Sequence, residues 1–142
     1  MRVIVQVPGE AIRMAEGVLR EEVSRDSPLR RMLVLYHTAF LLQISQAVAC
    51  NGLHSVHQRC CRWLLMTQDR SHSDVFPMTH EFLAEMLGVR RSTVSEVLEP
   101  FQEKGLIRYS RGKLTVLDRD GLMAGSCECY RSIADEFARL FG

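Results

Sequence analysis

The sequence lacks the signals of a membrane protein or of a protein from an oxidising compartment. Its opening MRVIVQVPGE contains no apolar segment of signal-peptide type, and Pro8-Gly9 interrupts it early. No stretch approaches the ~18 uninterrupted apolar residues of a membrane span. The five cysteines show no paired C-x-x-C spacing, which argues against a disulfide framework. We therefore expect a cytoplasmic protein in a reducing setting, with no membrane partner.

The chain also lacks the common catalytic motifs and contains little lysine. The chain contains no G-x-S-x-G, P-loop, H-E-x-x-H or dinucleotide-binding glycine pattern, so we expect no enzyme. Lys104 and Lys113 are the only lysines, and arginine supplies the other positive charges. Arginine is the better planar donor for phosphates and base edges, although codon bias explains its excess equally well. The net charge of +1 by itself indicates no partner.

What is present indicates one compact domain, or one domain with appendages. The chain has 142 residues, of which 46% are hydrophobic, and no internal repeat. RVIVQV alternates like a short strand, and residues 11–25 have the pattern of a helix. Ser27 as N-cap and Pro28 at the first helical position open a long helix that runs to about Asn51, with Gly52 as its stop.

The long helix is apolar on nearly every side. Leu33, Phe40 and Ile44 share one face, and two further apolar faces accompany it. The helix spans roughly 35 Å, which a chain this small cannot cover on all sides. We therefore expect burial against a second copy, with these three residues in the contact. The alternative is a central core helix of a monomer.

The segment after the long helix predicts a further helix, a loop and a helix-turn-helix. Ser55-Val56-His57-Gln58 is a capping box for a helix reaching about Gln68, and DRSHSDVFP follows as a loop. Thr79 is the expected N-cap of the next helix. In HEFLAEMLGVRRSTVSEVL, Gly88 ends that helix and a second one crosses it steeply.

The second of these two helices is polar on the side that does not face the core. Val89, Val94 and Val97 are expected to pack inward. Such a helix enters the DNA major groove with its N-terminal residues at base edges. The alternative is an ordinary helical hairpin with a solvated charged face. The residues expected at DNA are Thr79, Arg90, Arg91, Ser92, Thr93, Ser95 and Glu96.

The residues that follow predict a basic β-hairpin. In GLIRYSRGKLTVLD, strands at 106–109 and 113–117 flank a tight turn at Ser110-Arg111-Gly112. Arg108, Arg111 and Lys113 make this wing basic, and Arg111 and Lys113 are the expected phosphate contacts. A solvated hairpin is the alternative, especially for Arg108. Pro100 is expected to kink or end the preceding helix.

The stretch from Met78 to Arg131, including CECYR, resembles the Crp/Fnr family of bacterial transcription regulators. The resemblance implies homodimers joined through a long helix, each subunit placing a winged helix on one half-site. It implies that Arg91 reads a guanine. Ser92 stands where well-studied members have glutamate and Glu96 where they have arginine, so the half-site sequence does not carry over.

The N-terminal part departs from the family, whose members carry a β-roll sensor before the long helix. VIVQVPGEAIRM resembles only the last barrel strand and the helix after it. PGEAIR is similar to the signature that holds a cyclic phosphate, but its arginine comes too soon and one strand forms no barrel. We expect a truncated member without an effector site, and hence no cyclic nucleotide.

Cysteine and histidine residues form a second pattern. Cys50, His54, His57 and Cys61 are spaced as on one helix and are plausible zinc ligands. Gly52 and the capping box break that helix, so we expect no metal, no other cofactor, and a packing role for Cys60 and Cys61. Cys127-Glu128-Cys129 is a weak redox signal. The family's iron–sulfur members need four cysteines, mostly in the sensor half.

The sequence thus predicts a mainly α fold with a small β wing, a winged helix-turn-helix preceded by a long dimerisation helix. Its expected parts are a sensor remnant at 1–25, the dimerisation helix at 26–52, the DNA-binding domain at 53–122 and a C-terminal helix at 123–142. The expected function is that of a dimeric DNA-binding regulator recognising an inverted repeat. The alternatives are an interaction module that pairs with a full-length relative, and a Cys/His metal sensor.

Overall fold

The structure, a computed structural model, describes residue 5 and residues 9–141. Within them the chain is mainly helical, with one small antiparallel sheet, so the predicted fold class is confirmed. The elements, in chain order, are α1 (Glu16–Ser24), α2 (Pro28–Leu53), α3 (Val56–Ser71), β1 (Val75–Pro77), α4 (His80–Leu87), α5 (Arg91–Glu103), β2 (Ile107–Ser110), β3 (Lys113–Val116), α6 (Arg119–Gly125) and α7 (Cys129–Phe141).

The N-terminal region differs from its prediction. The strand expected in RVIVQV lies outside the described residues, except for Val5, which is in no regular element. The first helix begins at Glu16 and not at residue 11. Glu16 places a carboxylate in the first turn, where the helix dipole favours negative charge, and it pairs with Arg20 at 2.6 Å.

Helix α2 begins as predicted but ends later. The Ser27 hydroxyl accepts a hydrogen bond from the Arg30 N–H at 3.1 Å, and Pro28 occupies the first turn. The helix continues through Gly52 to Leu53, so the predicted stop at Gly52 is wrong. The His54 N–H closes the last turn on the Cys50 carbonyl at 3.0 Å. Cys50 and His54 therefore lie one turn apart on the same side of the helix end.

Helix α2 is largely uncovered within the chain. Only Ala39 and Cys50 are buried, and α7 packs along that side. The helix is long and apolar enough to cross a membrane by length and composition alone, with 11% of its most apolar window buried. One such helix is weak evidence for a membrane span. Its exposed apolar side chains include Met32, Leu33, Val34, Phe40, Leu41 and Ile44, and contiguous apolar surface of this kind is typical of interaction sites.

The main core lies between α3, the α4–α5 pair, the sheet and α6. The predicted capping box is present: the Ser55 hydroxyl accepts from the Gln58 N–H, and the Gln58 side chain accepts from the Ser55 N–H. The cysteines expected to pack in the core, Cys60 and Cys61, are fully buried there. The largest fully buried side chains are Leu64, Leu65, Leu83, Leu98, Phe101, Ile107, Leu114 and Leu122.

The sheet has the order β1-β3-β2, with both pairings antiparallel. Strand β1 lies in the segment predicted to be a loop. Its three residues, Val75-Phe76-Pro77, are all apolar in the sequence and include a proline, so no polar–apolar alternation identifies a strand. The strand exists because Phe76 is buried and pairs with Leu114 of β3, a contact that sequence periodicity does not reveal.

Two predictions concern the helices near the C-terminus. Helix α5 passes through Pro100 to Glu103, so Pro100 does not end it, and the other predicted outcome, a kink, stays a prediction. The single helix expected over 123–142 is two helices, α6 and α7. Ser126 interrupts them with an extended backbone, and its N–H bonds to the Met123 carbonyl at 3.2 Å. This break places Cys127 and Cys129 beside the end of α2.

Candidate nucleic-acid interface

The turn between α4 and α5 has the geometry that the sequence predicts. The Thr79 hydroxyl caps α4 by accepting from the Phe82 N–H at 3.1 Å. Gly88 ends that helix with φ of 64°, a conformation that costs glycine little. The Val89 N–H bonds to the Ala84 carbonyl at 3.0 Å, and Ala84 is buried. These contacts fix the direction in which α5 leaves α4.

Helix α5 has one buried side and one exposed side. Val94, Leu98 and Phe101 are buried in the main core, while Val97 packs against its edge. Thr93, a predicted DNA contact, is half-buried. The other predicted residues of this helix are exposed and form what we call the leading face: Arg90, Arg91, Ser92, Ser95 and Glu96.

A histidine joins α4, α5 and the hairpin. His80 Nδ1 lies 3.0 Å from the Ser95 hydroxyl, and its ring centroid lies 4.5 Å from that of Tyr109 on β2. Its Nε2 is buried and without a hydrogen-bond partner among the residues that the structure describes. Burial, followed by the nearby positive charge of Arg91, lowers the pKa of His80. The sequence prediction did not include this residue.

The wing hairpin, β2 and β3, presents its cations on one side. Arg111 and Gly112 form the connecting turn with φ values of 49° and 75°, as in the two-residue turns that suit hairpins. A shallow groove on the sheet is lined by Val75, Arg108, Ser110, Arg111, Lys113 and Thr115. Arg108 therefore lies beside the two predicted phosphate contacts and adds to their charge.

The predicted dimer residues lie apart from these surfaces, on α2. Leu33, Phe40 and Ile44 are 40%, 43% and 43% exposed. The side of α2 that contacts α7 is a different one, and the groove there is lined on α2 by Ala39, Leu42, Gln43 and Gln46. The three predicted residues thus share an uncovered apolar face.

A buried arginine connects that helix to the helix-turn-helix. Arg59 on α3 donates from Nη1 to the Asn51 side chain at 2.7 Å and to the Leu87 carbonyl at 3.1 Å. Asn51 lies near the end of α2, and Leu87 is the last residue of α4. One guanidinium therefore ties both helices to α3. No periodicity marks Arg59 in the sequence.

The structure groups the cysteine and histidine residues differently from the sequence pattern. Cys50 and His54 lie beside Cys127 and Cys129, with one ligand atom from each within 4.8 Å of all the others. His57 packs edge-on against Phe101 instead, with ring centroids 4.6 Å apart. The helix break therefore separates His57 and Cys61 from Cys50 and His54, as expected, but a different four-residue set forms.

The thiols of this set are shielded from water. Burial raises the pKa of Cys50 to about 12 and also raises the pKa of Cys127. Without a bound cation these two groups are therefore neutral thiols at ordinary pH. Cys127 and Cys129, whose C-x-C spacing suggested a redox role, are both members of this cluster.

Comparisons with known proteins agree with the fold. Residues 58–124 match the family model of the Crp-like helix-turn-helix domain. The chain resembles the crystal structure of a Crp/Fnr-family transcriptional regulator from Eubacterium rectale, with 23% identity and a TM-score of 0.60 over 81% of this chain and 51% of that one. It also resembles a CRP-family transcriptional regulator from Thermus thermophilus, with 23% identity and a TM-score of 0.57 over 80% and 55%.

The chain spans about half the length of the two solved structures. At such identity the likeness concerns the fold. No curated protein matches the chain.

Proposed function

Since this chain is a Crp/Fnr-type protein whose residues 58–124 form a Crp-like helix-turn-helix domain, we propose that it regulates transcription by binding DNA through α5. The observation that carries the proposal is the leading face of α5. Two arginines and three other polar residues are exposed there, while the opposite side is fixed in the core. The resemblance to this family supports a role in binding rather than in catalysis. It also supports a location in the cytoplasm.

The leading face supplies the chemistry for reading bases. Arg91 is the first residue of α5, so its guanidinium projects from the end that enters the major groove. An arginine there can donate two hydrogen bonds to a guanine, the commonest specific contact. Six further residues complete the proposed contacts to bases and backbone: Arg90, Ser92, Thr93, Ser95, Glu96 and the α4 cap Thr79.

The wing hairpin supplies contacts to the DNA backbone. Arg108, Arg111 and Lys113 line one groove, and all three are exposed. Their role is to bind phosphates, which adds affinity without reading sequence.

A second copy of the chain covers the free face of α2. Leu33, Phe40 and Ile44 are exposed apolar residues outside the groove between α2 and α7. Pairing α2 with its symmetry mate buries them and places two α5 helices about a two-fold axis. Such a dimer recognises inverted half-sites about one helical turn, ~34 Å, apart.

The same face of α2 supports a second candidate function. A chain that pairs with a longer relative through α2 would act as an interaction module and not as an independent regulator. The exposure of Leu33, Phe40 and Ile44 favours pairing but does not distinguish the two partners. Affinity of the purified chain alone for DNA distinguishes the two functions.

Selection from a random duplex pool tests the proposal directly. The purified chain is expected to enrich an inverted repeat, with binding that weakens steeply as salt rises. A pool that stays random after repeated rounds, while the chain remains folded by circular dichroism, would contradict independent DNA recognition. The interaction module would then be favoured.

A further inference from the structure

The cysteine cluster lies outside the proposed DNA-binding surface, at the junction of α2 and α7. Cys50, Cys127 and Cys129 are 0%, 5% and 1% exposed and form a hydrophobic cluster of their own, separate from the main core. A cluster made only of cysteines is unusual as packing, because leucine, isoleucine or valine would fill the space with more apolar contact. Thiols gathered with a histidine have a different use, which is to bind a metal ion.

The distances in the cluster fit one tetrahedral ion. Zinc binds thiolate sulfur at ~2.3 Å and histidine nitrogen at ~2.0–2.1 Å, so neighbouring ligand atoms in a tetrahedral site lie roughly 3.5–3.8 Å apart. Cys50 Sγ and Cys127 Sγ are 3.6 Å apart, and Cys129 Sγ is 3.6 Å from His54 Nδ1. No pair in the set exceeds 4.8 Å. The four atoms therefore already surround one point.

The groups around the ligands fit the same assignment. His54 presents Nδ1 to the cluster, while its Nε2 lies 3.2 Å from a Glu128 carboxylate oxygen. A carboxylate on the far nitrogen is the usual partner of a metal-bound histidine, because it fixes the tautomer and strengthens the ligand. Gln46 Nε2 donates to Cys129 Sγ at 3.0 Å, which stabilises a thiolate.

We propose that Cys50, His54, Cys127 and Cys129 bind one structural Zn²⁺. The set supplies three thiolates and one imidazole, leaves no ligand position open for water or substrate, and is almost completely buried, as in structural zinc sites. Binding releases the thiol protons to solvent as the three sulfurs become thiolates. The ion joins the end of α2 to Cys127, which lies between α6 and α7, and to Cys129, the first residue of α7.

Zinc is favoured over the other chemistries of four such residues. An iron–sulfur cluster holds its ligands around several metal atoms, whereas these four converge on a single position. A Cys50–Cys127 disulfide would use two thiols and leave Cys129, His54 and the Glu128 contact unexplained. Calcium and magnesium prefer oxygen ligands, which this set does not offer.

Metal analysis and cobalt substitution test the site in the intact chain. Protein purified under reducing conditions without chelator is expected to contain one zinc per chain. Replacement of zinc by Co²⁺ should give intense visible bands of tetrahedral geometry and a near-ultraviolet thiolate charge-transfer band. Both measurements use the unaltered sequence, so they do not depend on whether a variant folds.

Matched variants assign the ligands. His54→Gln and Cys129→Ser should lower the zinc content severalfold or abolish it. His57→Gln and Cys60→Ala, which alter a neighbouring histidine and a buried core cysteine, should keep one zinc per chain. Retention of zinc in both ligand variants, or its loss in His57→Gln alone, would overturn the assignment.

Chelation separates a structural ion from an adventitious one. Removal of zinc should lower the melting temperature, and stoichiometric zinc should restore it. Protein that contains iron and is coloured, or that binds neither Zn²⁺ nor Co²⁺ when reduced, would refute the proposal. These readouts do not involve DNA, so they stand or fall independently of the proposed regulator function.

Discussion

At the scale of single residues, Arg91 is the residue on which sequence recognition depends most. If it donates two hydrogen bonds to a guanine, Arg91→Ala should weaken binding to the selected site by ~1–3 kcal/mol and relax preference at one base pair. Competition gel shifts on the selected site and on its single-base variants measure both effects.

The control for Arg91 is another exposed arginine outside the proposed interface. Arg131→Ala on α7 removes the same charge and should leave sequence preference unchanged. Equal losses of affinity on cognate and random DNA in Arg91→Ala would show that this arginine contacts phosphate only.

His80 gives the helix-turn-helix a pH dependence. Burial and Arg91 hold its pKa in the folded chain below the ordinary 6.5. As pH falls, His80 takes up a proton in the unfolded chain before it does so in the folded chain. The free energy of unfolding is therefore unaffected by this group above pH 6.5 and decreases below that pH. His57, whose pKa is lowered by burial and then by Lys104, acts in the same direction.

Thermal melts at pH ~7.5 and ~5.5 measure this effect. On acidification, the melting temperature of the His80→Gln variant should decrease by less than that of the unaltered chain. His72→Asn is the control, because His72 is exposed and has a φ of 48° that asparagine tolerates. The same acid shift in His80→Gln and the unaltered chain would assign the pH dependence to other groups.

At the scale of elements, the wing hairpin should contribute affinity without specificity. Lys113→Ala, and separately Arg111→Asn, should weaken binding to every sequence alike and reduce the slope of log affinity against log salt by ~1. Asparagine is chosen at position 111 because it tolerates the left-handed turn that Arg111 occupies.

The chain offers a matched control in its other lysine. Lys104 is exposed at the opposite end of α5 from the leading face, so Lys104→Ala should leave the salt slope unchanged. An unchanged slope in both wing variants would place the hairpin away from the DNA backbone.

Local signals account for the elements that were predicted correctly. The Ser27 and Thr79 caps, the Ser55 capping box and the turn at Gly88 are each encoded within a few neighbouring residues, and each is present. Strand β1 was missed because its pairing partner is distant in sequence. Helix α2 continues through the exposed Gly52 because the His54 N–H still closes the last turn on the Cys50 carbonyl, and α5 continues through Pro100 because Leu98 and Phe101 beside it are buried in the core.

The two candidate sites also differ in whether their residues are close together or distant in the sequence. The leading face of α5 is predictable from the sequence because the residues of one helix face recur at a fixed spacing. The cysteine cluster is not predictable in this way, since Cys50 and His54 meet Cys127 and Cys129 only when α7 packs on α2. The C-x-C spacing of Cys127 and Cys129 is the only local sequence signal of this cluster, and it does not indicate that His54 lies beside it.

At the scale of the whole molecule, the free face of α2 determines the oligomeric state. Ile44→Glu would place a charge without a partner in the proposed α2 contact, which is strongly unfavourable. It should shift the protein toward monomer and abolish tight binding to a palindrome, while weak non-specific binding persists. Light scattering and gel shifts on palindromic and single half-site DNA measure these two effects.

Leu117→Glu is the control for introduced charge, because Leu117 is 48% exposed and lies outside α2. It should leave the mass in solution unchanged. A monomeric unaltered chain that binds one half-site as tightly as the palindrome would refute the dimer and leave a monomeric winged helix.

The pairing of β1 with β3 also affects the order in which the chain can fold during synthesis. The ribosome completes β1, α4 and α5 before it makes β3, and Val75 pairs with Thr115 about forty residues later. Contacts over such a separation carry the loop-closure cost that slows folding. A nascent chain that stops before Lys113 therefore has α5 but not the sheet beside which it lies. Only chains synthesised through the hairpin can therefore form the strand that packs against α5 and the strand that pairs with β1.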